Sequence, residues 1–134
     1  MAILVTGAAG FIGHHTVKAL LARGEDVIGI DNLNDYYDPT LKRARLNVLN
    51  DPNGFHFHEA DIAASGLADS VPASVDRIIH LAAQAGVRYS IENPGAYAQA
   101  NLVGHTNILE LARHRTVQKL VYASSSSIYG GNTK

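Results

Sequence analysis

Three glycines spaced three apart, Gly7, Gly10 and Gly13, follow the uncharged run Ala2-Ile3-Leu4-Val5-Thr6 and open a helical pattern that starts at Phe11. A strand, a tight turn and a helix start in that order make the layout of a dinucleotide-binding fingerprint. Gly7 permits the sharp turn out of the strand. Gly10, having no side chain, lets a diphosphate approach the backbone and the positive end of the helix. Gly13 lets the helix pack closely on the sheet. Glycines also mark ordinary turns, so context decides. Here the triad follows a strand, opens a helix, and has Asp31 at the end of the next apolar run.

The rest of the chain repeats the alternation. Strands are expected at 2–6, 26–31, 55–59, 76–81 and 119–123. Helices are expected at 11–23, ended by Gly24, at about 40–49, weakly at 63–69, and from the Asn93-Pro94 start to about His114. Ile12, Val17, Ala19, Leu20 and Leu21 form the buried side of the first helix. Ala98, Leu102, Ile108, Leu109 and Ala112 do so in the last. Asp51-Pro52-Asn53-Gly54 is a turn by composition. Strands separated by helices pair in parallel through right-handed crossovers. The expected fold is α/β: a Rossmann-type doubly wound sheet in strand order 3-2-1-4-5, with its crevice at the carboxyl ends of strands one and four.

Composition narrows the partners. The 134 residues carry a formal net charge of −1 and no cysteine, and no apolar run reaches membrane-spanning length. Nucleic acid and membrane are not expected partners, disulfides are excluded, and the cytoplasm is the expected location. With a strand directly after Met1, no signal peptide is expected. The seven histidines are scattered, and neither His14-His15 nor His56 and His58 has zinc-ligand spacing, so no metal site is expected.

The polar features gather at the strand ends that form the crevice. A carboxylate at Asp31 can accept hydrogen bonds from adenosine ribose hydroxyls and repel a 2′-phosphate, which favours NAD over NADP; a cap or a solvated loop carboxylate is the competing reading. Lys42 and Arg43 stand where they could touch the same ribose. Asp61 and Ile62 would flank the adenine, unless Asp61 is a plain turn residue. Four consecutive serines, Ser124 to Ser127, end the fifth strand. They either cap the next element or face a ligand. Arg88 is either a solvated loop charge or a substrate contact, and Asn101 is a poor helix former with a packing role near the loops. The six tyrosines read as amphipathic filler.

The opening residues 4–13 resemble the extended short-chain dehydrogenase/reductases, the NAD-dependent epimerase/dehydratase family. Residues 29–38, with Tyr36-Tyr37-Asp38, 80–90, with Gly86-Val87-Arg88-Tyr89-Ser90, 101–104 and 122–130 make the chain similar to UDP-glucuronate 4-epimerases within it. The resemblance implies NAD contacts at Gly7, Gly10, Phe11, Ile12, Gly13, Asp31, Asn32, Asp61, Ile62, Leu81, Ala82 and Ala83. It implies a catalytic hydroxyl at Ser125, with Ser126, Ser127 and Arg88 facing a UDP-sugar. Related 4,6-dehydratases carry an Asp-Glu pair where this chain has Ser126 and Ser127, which favours epimerase chemistry.

The same family uses a tyrosine base with a lysine four residues later. Here Tyr36, Tyr37, Tyr89, Tyr97, Tyr122 and Tyr129 are followed at that distance by Thr40, Leu41, Asn93, Asn101, Ser126 and Thr133. Residues 1–134 are therefore expected to be one incomplete NAD-binding domain, lacking the later strands and the sugar-nucleotide domain, and inactive alone. The alternatives are a non-catalytic NAD-binding module and another nucleotide-sugar epimerase or dehydratase. A homodimer is expected of the intact enzyme. Self-association through an exposed fifth strand is expected of the fragment.

Overall fold

The computed structural model describes residues 1–49 and 53–131. Five parallel strands, β1 (Ala2–Thr6), β2 (Asp26–Asp31), β3 (Phe55–Glu59), β4 (Val75–His80) and β5 (Lys119–Tyr122), form one sheet in the order β3-β2-β1-β4-β5. That is the expected doubly wound order. The turn expected at 51–54 is described only at Asn53 and Gly54; Asp51 and Pro52 lie outside the described residues.

Alternation along β1 divides the core between the two faces. Ala2 and Leu4 join Ile28, Ile30 and Ile78 on one side, under Leu67, Ile108 and Leu111. Ile3 and Val5 join Val27 and Phe55 on the other, under Val17 and Leu49. Burying both faces explains why β1 shows no polar alternation: all five residues are buried.

Local turn and cap residues set several of the helix ends. Helix α1 spans Phe11–Leu21 and stops before Gly24, whose φ of +76° is the left-handed turn that glycine favours. Helix α2 (Pro39–Val48) begins with proline behind Asp38, whose carboxylate accepts the Thr40 N–H at 2.8 Å. The helix expected at 63–69 is reduced to one turn, α3 (Leu67–Ser70), because Asp61 caps Ala63 in a tight turn and Gly66 sits at φ +83°.

The long helix expected from Asn93 to His114 is segmented. A turn at Tyr89–Glu92 (α4) precedes Asn93, whose side chain caps Ala96 as expected at the start of α5 (Pro94–Tyr97). A π-helical stretch, Ala98–Gly104, then leads into α6 (His105–His114). Hydrogen bonds of the i→i+5 kind widen each turn and rotate the apolar stripe out of phase. Ile108 stays fully buried, while Leu102 and Leu109 are exposed, contrary to expectation. Ile12 and Ala19 are likewise exposed instead of lying in the core under α1. At the other end of the sheet β5 is an edge strand, with Val121 61% and Tyr122 54% exposed.

Candidate cofactor cleft

The cleft opens where the strand order reverses. Gly7, at φ +71°, takes the chain out of β1, and its N–H donates to Ile30 O at 2.7 Å. A methyl group added at Gly7 would stand 2.9 Å from the Ala82 nitrogen, so the turn after β1 rests directly on the segment after β4. At Gly13 an added Cβ would run into the Gly7 carbonyl, which is the close helix packing expected of that glycine. Helix α1 then begins at Gly10 with no side-chain cap and no acid in its first turn. Its N-terminal amides and dipole favour an anion.

Asp31 closes one side. It is 8% exposed, its Oδ2 accepts the Ala9 N–H at 3.1 Å, and its Oδ1 accepts the Leu33 N–H at 2.9 Å. The latter bond holds Leu33 in a left-handed conformation at φ +51°. Lys42 lies 3.9 Å from Asp31 Oδ1 and donates to both the backbone carbonyl and the side-chain oxygen of Asn34, at 2.9 and 2.8 Å. The solvated-loop reading of Asp31 is therefore excluded, and the Lys42 ammonium is already engaged. Arg43 points into solvent.

On the far wall, Asp61 Oδ1 caps Ala63 at 2.8 Å while its Oδ2 meets Asn32 Nδ2 at 3.5 Å. Ile62 is buried, and its carbonyl accepts from Asn107 at 2.8 Å. Leu81, Ala82 and Ala83 leave β4 along the opposite lip. Together these elements enclose a cleft of about 320 Å³, and Gly7, Gly10, Phe11, Ile12, Gly13, Asp31, Asn32, Asp61, Ile62, Leu81, Ala82 and Ala83 all line it. Twelve positions spread over residues 7 to 83 thus meet at one place.

The profile of the NAD dependent epimerase/dehydratase family matches residues 3–134. The chain belongs to that family. It is 54% identical over 136 residues to an uncharacterized 37.6 kDa protein of Escherichia coli O111:H-, covering 100% of this chain and 40% of that protein. UDP-glucuronate 4-epimerase 3 of Arabidopsis thaliana is 50% identical over 135 residues, covering 98% of this chain and 31% of that one. The crystal structure of UDP-glucuronic acid 4-epimerase from Bacillus cereus with UDP-glucuronic acid and NAD superposes with a TM-score of 0.91 at 36% identity. It covers 100% of this chain and 43% of that one. The chain thus spans less than half the length of these relatives.

In this family member the serines and Arg88 stand apart from the cleft lining. Ala123 lines it, and the chain then turns outward. Ser125 Oγ accepts the Ser127 N–H at 3.1 Å, capping a short 3₁₀ turn, Ser126–Tyr129, and lies 3.1 Å from Ser127 Oγ. Ser125, Ser126, Ser127 and Arg88 are all exposed.

Sequence reasoning missed the aromatic side of the entrance. Tyr36 and Tyr37 line the cleft, and Tyr36 packs on Tyr89 with ring centroids 4.8 Å apart. The Tyr97 hydroxyl donates to the Gly86 carbonyl, and partial burial followed by the neighbouring phenols raises its pKa. These rings join the loop after β2 to the loop after β4; the Tyr-Tyr pair within a turn-rich segment was the available signal. Asn101 fulfils its expected role beside the loops. Its Oδ1 accepts the Gln84 N–H at 2.8 Å and its Nδ2 donates to Gln84 O at 3.0 Å.

Proposed function

We propose that this chain is the NAD-binding part of a nucleotide-sugar 4-epimerase that interconverts UDP-glucuronate and UDP-galacturonate. The observation that carries the cofactor assignment is Gly10. Its φ is an ordinary −71°, and an added Cβ would meet a single atom, Gly7 O, at 3.1 Å. That contact needs the Gly7 carbonyl to give by only a few tenths of an ångström, a much smaller demand than at Gly13, where an added Cβ would overlap the same oxygen. The further demand for glycine comes from the cleft side, where a diphosphate needs close access to the backbone and to the start of α1.

In this reading Gly7, Gly10, Phe11, Ile12 and Gly13 hold the diphosphate. Asp31 and Asn32 take the adenosine ribose, Asp61 and Ile62 flank the adenine, and Leu81, Ala82 and Ala83 line the nicotinamide side. The Asp31 carboxylate disfavours a 2′-phosphate, and Lys42, engaged by Asn34, is not free to offset it. Bound NAD supplies the hydride acceptor and donor for transient oxidation at the sugar C4. The Ser125 hydroxyl hydrogen-bonds the sugar 4-oxygen, while Ser126, Ser127 and Arg88 face the sugar carboxylate.

Support for the substrate class comes from the Bacillus cereus relative, crystallised with UDP-glucuronic acid and NAD, and from the Arabidopsis thaliana relative named for the same reaction. No tyrosine of this chain has lysine four residues on, so the proton-accepting pair belongs to residues outside this sequence. Cytoplasmic residence and a homodimer complete the proposal, the exposed Leu102, Val103 and Leu109 offering apolar surface to a second copy.

The experiment is ligand-observed NMR of the chain with NAD and UDP-glucuronate, followed over time. NAD saturation transfer without formation of UDP-galacturonate is expected. Loss of the NAD signal would refute the cofactor assignment, and turnover by these residues alone would refute the placement of the base elsewhere.

A further inference from the structure

One buried titratable group at the crevice has no part in the contacts assigned above. His80, the last residue of β4, is 5% exposed, and its Nδ1 lies 2.7 Å from Thr6 Oγ1. Thr6, the last residue of β1, is fully buried. Its hydroxyl oxygen accepts the Ala82 N–H at 3.1 Å and also the Leu81 N–H at 3.1 Å, which is shared with the Thr6 carbonyl at 3.3 Å. A hydroxyl offers one donor and two acceptor sites. With both amides aimed at the oxygen, the arrangement that satisfies every group sends the Thr6 proton to His80 Nδ1 and leaves the imidazole proton on Nε2.

This joint bears both lips of the cleft. Thr6 is followed by Gly7, His80 by Leu81 and Ala82, and Gly7 already rests on the Ala82 nitrogen. We propose that His80 is a positioning residue of the dinucleotide site, acting through the Thr6 hydroxyl to fix the Leu81-Ala82 segment against the glycine turn. With Nδ1 as acceptor, the hydroxyl proton is aimed away from the two amides and both lone pairs stay on them. Without that acceptor the proton competes with the amides for the same space, and the segment after β4 is released from the turn after β1. The ring is fixed from its other side by His105 of α6, stacked at 5.1 Å, and behind it Tyr122 of β5 packs edge-on against His105 at 5.0 Å. Among the described residues His105 is the titratable group against the ring, and Tyr122 lies behind His105. Burial, and next the neighbouring His105, depress the His80 pKa, which keeps the acceptor nitrogen unprotonated.

The inference rests on the cofactor reading above, and the test separates the two. NAD affinity is measured by calorimetry on the full chain and on four variants at pH 8: His80→Asn, His80→Phe, Thr6→Val and the Thr6→Val/His80→Phe double. His80→Asn places a non-titrating oxygen near Nδ1 and should keep affinity within about threefold, whereas His80→Phe keeps the stacking but removes the acceptor and should cost about tenfold, the worth of one misplaced hydrogen bond. Adding His80→Phe to Thr6→Val should cost no more than Thr6→Val alone, since both act through one contact. Full additivity, or equal losses for the Asn and Phe variants, would overturn the positioning role. Failure of the unaltered chain to bind NAD would refute the cofactor reading itself. Imidazole ¹⁵N shifts of the unaltered chain at pH 7 give an answer independent of NAD and of variant folding: protonated Nε2 with bare Nδ1 supports the joint, and protonated Nδ1 contradicts it.

Discussion

Asp31 Oδ2 accepts the Ala9 N–H at 3.1 Å, tying the carboxylate that ends β2 to the glycine turn that follows β1. One side chain therefore shapes the turn and presents charge to the cleft beside it. Asp31→Ala should remove the acceptor for Ala9 and Leu33 and leave the nearly buried Lys42 ammonium without its carboxylate neighbour. A loss of about 2–4 kcal/mol is expected, read as a lower urea midpoint at unchanged slope. A variant as stable as the parent would show that the carboxylate is not integral to the turn.

The glycines separate fold from ligand. Gly13→Ala should destabilise strongly, by about 2 kcal/mol or more, because its Cβ meets the Gly7 carbonyl backbone. Gly10→Ala, whose Cβ would meet the Gly7 carbonyl oxygen alone, at 3.1 Å, should change thermal unfolding far less than Gly13→Ala while lowering NAD affinity.

The buried histidine sets an acid limit. Burial, then His105, lowers the His80 pKa from 6.5 to about 4. Between those values the unfolded chain holds a proton that the folded chain does not, so stability falls as pH drops through the window. The slope for one such group is about 1.4 kcal/mol per pH unit, or roughly 2 kcal/mol between pH 6.5 and 5. His14, lowered by burial first and then by His15 and Arg45, acts in the same direction. Urea titrations at pH 7 and pH 5 should show the loss, and His80→Asn should flatten it.

Asn101→Ala should free the Gln84 backbone. Loss of its two hydrogen bonds is expected to cost about 1–2 kcal/mol and to speed exchange of the Gln84 amide, measured by hydrogen–deuterium exchange.

How far the sequence carried the reading follows from where each signal resides. The glycine turn, the strand order and the crevice were legible because apolar runs, turn residues and crossover handedness are local or follow from chain order. The exposure of Leu102 and Leu109 was not: Leu102 lies within the π-helical stretch, and the face of α6 that packs on the sheet carries Ile108 and Leu111 and turns Leu109 outward. Contacts between separate loops, such as Tyr36 with Tyr89, leave no spacing rule behind. The same holds for the hydroxyl of Thr6, 74 residues from His80. The twelve positions expected to contact NAD all line one cleft, because in this fold the carboxyl end of every strand leads to one crevice. For the serine run, local capping and a role toward substrate draw on the same side-chain chemistry.

The central claim is that this cleft is built for NAD, and paired calorimetric titrations with NAD and NADP test it most directly. The account predicts saturable one-site NAD binding, NADP weaker by about tenfold or more through repulsion at Asp31, and loss of NAD binding in a folded Gly10→Val variant. No heat at millimolar NAD, or equal affinity for the two dinucleotides undisturbed by Gly10→Val, would contradict it.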